Sequence, residues 1–112
     1  MIFKTADRKS KARKVPKAVS EYMHRRYIML TDYIDMLRCF EDDCILNGES
    51  VRSILIFDPR RARKKNLSIN SRADIETYPE LLLFKGHIDR QGNVYLADRR
   101  LPAAMAQTGC KR

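Results

Sequence analysis

Between residues 19 and 37, Val19, Met23, Tyr27, Leu30, Ile34 and Leu37 recur at spacings of three and four, the period that lines up one face of an α-helix. Tyr22, Tyr33 and Phe40 widen that stripe, while Glu21, Arg25, Asp32 and Asp35 fall on the opposite side. Pro16 suits a helix start, because its missing N–H is one of the donors that a first turn leaves unpaired in any case. The pattern predicts an amphipathic helix over 17–41, with Thr31, Asp32 and Asp35 marking a point where it can divide in two. Glu41, Asp42 and Asp43 end that helix, and Asn47-Gly48 makes a turn.

Beyond the turn the period changes. Val51 to Phe57 is short, β-branched and bounded by turn residues, so it reads as a strand buried on both faces. Asp58-Pro59 pairs an acceptor side chain with proline, the pattern of an N-cap and first helical position, and predicts a short helix over 59–65 that ends near Asn66. Ser71 with Asp74 resembles a capping box and predicts a helical turn before Pro79. Leu81–Asp89 and Asn93–Asp98 read as a hairpin around Arg90-Gln91-Gly92. Its apolar face, Leu82, Phe84, Ile88, Val94 and Leu96, needs a cover, and the long helix offers one. The other face, with Lys85, His87, Asp89 and Tyr95, is left wetter.

The expected fold class is therefore α+β: one long amphipathic helix packed on a small, mainly antiparallel three-stranded sheet, with a flexible basic N-terminal arm. Residues 1–16 form the arm, 17–100 a single domain and 101–112 a loosely held tail. At 112 residues with 44% hydrophobic side chains, one domain of this size can bury a core without staples. The longest apolar runs, Ile54–Phe57 and Leu81–Phe84 among them, have four residues each, where a membrane helix needs about 20. The basic N-terminus is followed by no apolar segment of the secretory kind, so an intracellular protein is expected, cytoplasmic or, in a eukaryotic host, nuclear. Cys39, Cys44 and Cys110 lack the paired spacing of zinc sites and read as free thiols, with no metal and no cofactor implied.

Charge changes the picture more than composition does. The net charge is +9, but residues 1–17 alone hold +6 and 51–65 hold +5, against −4 over 18–50. The first block comprises Lys4, Arg8, Lys9, Lys11, Arg13, Lys14 and Lys17; the second comprises Arg60, Arg61, Arg63, Lys64 and Lys65, with Arg52 close by. No acid interrupts Arg60–Lys65. A solubilising surface mixes signs. A surface that neutralises phosphates does not, because an interspersed carboxylate weakens the counterion release that drives binding.

Other chemistry has thinner support. His87 and Asp89, two apart on one strand, share a face as an oriented histidine and carboxylate do, but they stand alone. Gly48, Gly86, Gly92 and Gly109 are too scattered for a phosphate loop. Tyr22, Tyr27, Tyr33 and Phe40 are taken up by the helix stripe, leaving Tyr78 and Tyr95 as rings that could stack on bases. Ile28 and Met36 interrupt the polar side of the long helix, as a homodimer contact would.

The leading expectation is a non-enzymatic nucleic-acid-binding or nucleoprotein accessory protein. It grips phosphates through Lys9, Lys11, Arg13, Lys14, Arg52, Arg60, Arg61, Arg63, Lys64 and Lys65. The second is an interaction adaptor whose basic blocks meet an acidic protein surface. The third is a small ribonuclease: in size and charge the chain resembles the bacterial toxins that cut messenger RNA on the ribosome. That resemblance carries over no catalytic residue, and it directs attention to His87, Tyr95 and the basic side chains.

Overall fold

The computed structural model describes residues 11–27 and 31–98. Strand β1 (Arg13–Lys14) leads into α1 (Lys17–Arg26), α2 (Thr31–Ile34) and a long hairpin of β2 (Arg38–Leu46) and β3 (Glu49–Phe57). Two short helices follow, α3 (Pro59–Lys64) and α4 (Arg72–Thr77), then a 3₁₀ turn (Pro79–Leu81) and the hairpin of β4 (Leu82–Ile88) and β5 (Val94–Asp98). The strands form one antiparallel sheet in the order β1-β2-β3-β4-β5.

This architecture corrects the expectation of one long helix on a three-stranded sheet. Among the described residues the sheet has five strands, and only α1, with ten residues, exceeds two turns. The helical stripe is interrupted at Tyr27, which leaves helical geometry at φ −129 and ψ 66 as the C-cap of α1. Beyond Leu37 the chain is a strand. Cys39 and Phe40 are both fully buried but in different clusters on opposite sides of the sheet, a placement that consecutive residues reach only in extended chain. The Glu41–Asp43 cluster therefore lies within β2 and does not cap a helix.

The hairpin has two physical causes. Asn47 and Gly48 both take positive φ, 53° and 84°, the conformation of a tight hairpin turn whose twist matches the flanking strands. In addition, Ile54 to Phe57 are buried, so their backbone groups need a ladder on each side, and β2 and β4 supply the two. The remaining sequence-based elements stand where they were expected: β3, the Asp58-capped α3, the Ser71-capped α4 with its full capping box, and the β4–β5 hairpin.

Both faces of the sheet are covered. On one, Val19 and Met23 of α1 with Ile34 of α2 pack on Cys39, Ile54, Ile56, Phe84 and Ile88. On the other, Ala62 of α3, Ile75 of α4 and Leu81 pack on Phe40, Leu55 and Phe57, with Phe40 and Phe57 stacked at 5.4 Å. Leu82 belongs to this second cluster, not to the first with Phe84, because the β3–β4 register shifts at Ile56/Phe57. Burial pushes the Cys39 thiol up to about 12, with Glu41 adding to the effect, so this cysteine stays a protonated core side chain at neutral pH. Cys44 is exposed on β2, and Cys110 lies outside the described residues. Met36 is half exposed, while Ile28, the other residue suggesting a second packing surface, lies outside the described residues. No described helix is long and apolar enough to cross a membrane.

Candidate nucleic-acid interface

The second basic block is carried by α3, whose limits follow from its ends. The Asp58 carboxylate accepts from the Arg60 N–H at 2.9 Å as the N-cap, and Pro59 occupies the first helical position. At the other end Asn66 takes the left-handed conformation (φ 59°), and the Leu67 N–H returns to the Ala62 carbonyl at 2.9 Å. Ala62 is the one buried residue of this short helix. Its long side chains are therefore free of core duty.

Arg60 differs from its neighbours. Its Nε and Nη2 donate to the two Asp58 oxygens at 3.1 and 3.0 Å, its guanidinium lies 4.9 Å from the Tyr33 ring centre, and the Tyr33 hydroxyl also donates to Asp58. Burial pushes the Asp58 carboxyl up, but the hydrogen bonds from Arg60 and Tyr33 outweigh it and hold the group below the usual carboxylate range. Burial, together with the bond to Asp58 and its charge, pushes the Tyr33 phenol up to about 12, so it remains a neutral donor. This network pins α2 to the start of α3.

Arg61 is half-buried, its side chain makes no hydrogen bond or ion pair among the described residues, and its Nη1 is enclosed without a partner. Arg63, Lys64 and Lys65 are exposed and likewise without an ion pair among the described residues. Tyr33, Asp58, Arg60, Arg61, Lys64 and Lys65 line a cavity of about 510 Å³ between α2 and α3.

The first block contributes at the same end of the sheet. Lys14 stands opposite Arg38, and Arg38 opposite Phe57, the last residue before Asp58, so these side chains share the face that α3 covers. Arg13 pairs in register with Cys39, and Lys11 is exposed just before β1. Of the flexible arm expected over 1–16, residues 1–10, Lys9 among them, lie outside the described residues, as does the tail from 101, while Arg13–Lys14 is instead a strand held against β2. Arg52 is not part of the group: it sits further back on β3 and donates to Glu41 at 3.1 Å. Sequence reasoning missed Arg38, hidden inside an expected helix, and Tyr33, whose link to Asp58 spans 25 positions in the chain.

A second cluster occupies the same sheet face further along. Ser53, His87 and Tyr95 are cross-strand neighbours, and Arg72 Nη2 donates to Ser53 Oγ at 3.0 Å while its Nη1 is enclosed without a partner. The His87 and Tyr95 rings stack at 4.7 Å. Asp89 makes no bond to His87: it accepts from the Gln91 and Asn93 N–H groups and from the Tyr95 hydroxyl, which makes it the clamp of the β4–β5 turn. Among the described residues no three His, Cys, Asp or Glu side chains converge as a metal site would need. The chain matches no protein-family model, no curated protein and no solved structure.

Proposed function

We propose that this protein is a non-enzymatic nucleic-acid-binding protein that grips the phosphate backbone with α3 and the adjoining ends of β1 and β2. One observation carries the reading. Lys14, Arg38, Arg61, Arg63, Lys64 and Lys65 lie on elements that meet at one end of the sheet, where they outnumber the acids near them: Asp58, already matched by Arg60, and Asp35, which lines a pocket with Lys14 and whose carbonyl accepts from Arg38. Cations left unmatched by the fold favour a polyanion, because each phosphate they neutralise releases condensed counterions. Action on nucleic acid implies the cytoplasm, or the nucleus of a eukaryotic cell.

The test uses the three exposed cations of the block. Replacing Arg63, Lys64 and Lys65 together by Gln should weaken binding to all sequences alike and lower the salt slope by about one unit for each phosphate no longer neutralised. Stability should move by only about 0.5 kcal/mol, since these side chains hold nothing in the fold. Arg60 is left intact in this variant because it is tied to Asp58. Unchanged affinity for duplex DNA, single-stranded DNA and RNA overturns the reading. A protein that binds acidic polypeptides but no nucleic acid is instead an adaptor.

The Arg72, Ser53, His87 and Tyr95 cluster favours a second reading, a small ribonuclease. Arg72, held by Ser53 at 3.0 Å and by Glu76 at 3.3 Å, stands on the cross-strand partner of His87, and a cation near a histidine is what a phosphodiester cleavage site uses to hold the phosphate and move a proton. RNA cleavage that disappears in His87→Ala while RNA is still bound supports it, and absence of cleavage by the intact protein removes it.

A further inference from the structure

We infer that the cavity between α2 and α3 is a discrete seat for a single phosphate group, with Arg61 as its central ligand. The inference rests on the nucleic-acid reading above and deepens it, since a basic surface can bind a polyanion diffusely with no such seat.

The geometry separates two roles. Asp58, Arg60 and Tyr33 form the wall: the Asp58 charge is spent on Arg60, which gives it Nε and Nη2, and the Tyr33 phenol is neutral. What faces the cavity beyond that wall is Arg61, Lys64 and Lys65, three cations without an acid partner among the described residues. Their charge matches a doubly charged phosphate more closely than it matches a single carboxylate. At about 510 Å³ the cavity falls within the range of small-ligand sites, about 300–1,000 Å³, and has room for a phosphate with its attached sugar.

Arg61 supplies the specific argument. An exposed arginine can spend its donors on water, but Arg61 is half-buried with its Nη1 closed off from solvent, which leaves its other donors to meet whatever enters the cavity it lines. Donors that line a cavity and have no protein acceptor are satisfied by what occupies it, and the cations beside Arg61 make an anion the matching occupant. The planar guanidinium fork fits two phosphate oxygens at once, which a lysine cannot do. Arg60 and Tyr33 act as positioning residues, because they fix the first turn of α3 from which Arg61 projects.

Inorganic phosphate titrated into the intact protein, followed by backbone and arginine side-chain N–H shifts, tests the seat without any variant. Shifts confined to Tyr33, Arg60, Arg61, Lys64 and Lys65 are expected; shifts spread equally over Lys11, Lys14, Arg63 and the lining residues overturn the seat. Two variants of equal charge then give the second readout. Arg61→Gln should weaken inorganic phosphate binding at least tenfold, whereas Arg63→Gln, outside the cavity, should change it less than twofold. Equal effects of the two, with nucleic acid still bound, sink the seat and leave the nucleic-acid reading standing. Failure of the intact protein to bind any nucleic acid removes both. Oligonucleotides with a 5′-phosphate or a 5′-hydroxyl identify the source of the group: tighter binding of the phosphorylated strand, abolished in Arg61→Gln, assigns the seat to a chain end, and equal Arg61-dependent binding assigns it to an internal phosphodiester.

Discussion

Replacing Asp58 by Ala is expected to lower stability by about 3 kcal/mol, roughly 15 °C in melting temperature for a domain of this size. Asp58 is almost fully buried and does three things at once: it caps α3 through the Arg60 N–H, pairs with the Arg60 guanidinium and accepts from Tyr33. Loss of an N-cap costs about 1 kcal/mol, and hydrogen bonds to a charged group contribute about 1.5–3 kcal/mol. The Arg60 side chain is 41% exposed and can return to water, so the cost falls short of the 3–5 kcal/mol typical of breaking a wholly buried pair. The direction with pH follows from the depressed carboxyl. A carboxylate whose folded value lies below its unfolded value, about 3.9, contributes stability above that pH and loses it as the pH falls through the folded value. The intact protein should therefore show a stability loss in acid that is smaller in Asp58→Asn. Thermal melts of the three proteins from pH 2 to pH 7 check both statements. An Asp58→Ala protein that melts within 3 °C of the intact one contradicts the account of how α3 is held.

Replacing Gly86 by Ala should cost at least as much and should act on a different part of the sheet. An added Cβ would lie 1.9 Å from the Tyr95 carbonyl oxygen and 2.8 Å from the Leu96 Cα, both backbone atoms that cannot swing aside. β5 would have to move off β4 or the strand would have to buckle. Overpacking alone costs about 1–3 kcal/mol, and separation of the strands adds the loss of Val94 and Leu96 from the face covered by α1. A total near 4 kcal/mol is expected on this basis, with amide protection lost first across Val94–Asp98. Protected β5 amides in a Gly86→Ala protein of ordinary stability contradict the β4–β5 register.

The parts of the fold that were legible in the sequence are those whose signal is local. Asp58-Pro59 and Ser71 with Asp74 each specify a helix start within four residues, and Val51–Phe57 announces a buried strand by composition. β2 was not legible because it lacks alternation. Its first residues are buried on both faces, its last five are exposed, and its apolar members continue the three-and-four spacing of the helices before it. Asn47-Gly48 was the clue that could have recovered it, since that dipeptide between two runs signals a hairpin. The candidate interface was legible to the same degree. The cations of α3 stood out as an uninterrupted run, whereas the commitment of Arg60 to Asp58 and the arrival of Arg38 and Lys14 beside them depend on the β1–β2–β3 register, which a sequence does not display.

The central claim is that unmatched cations at this end of the sheet hold phosphates, and a salt titration of duplex DNA binding tests it most directly. With about five phosphates neutralised and a slope near −0.9 for each, affinity should fall roughly 500-fold between 50 and 200 mM salt. An affinity that stays flat across that range contradicts the claim.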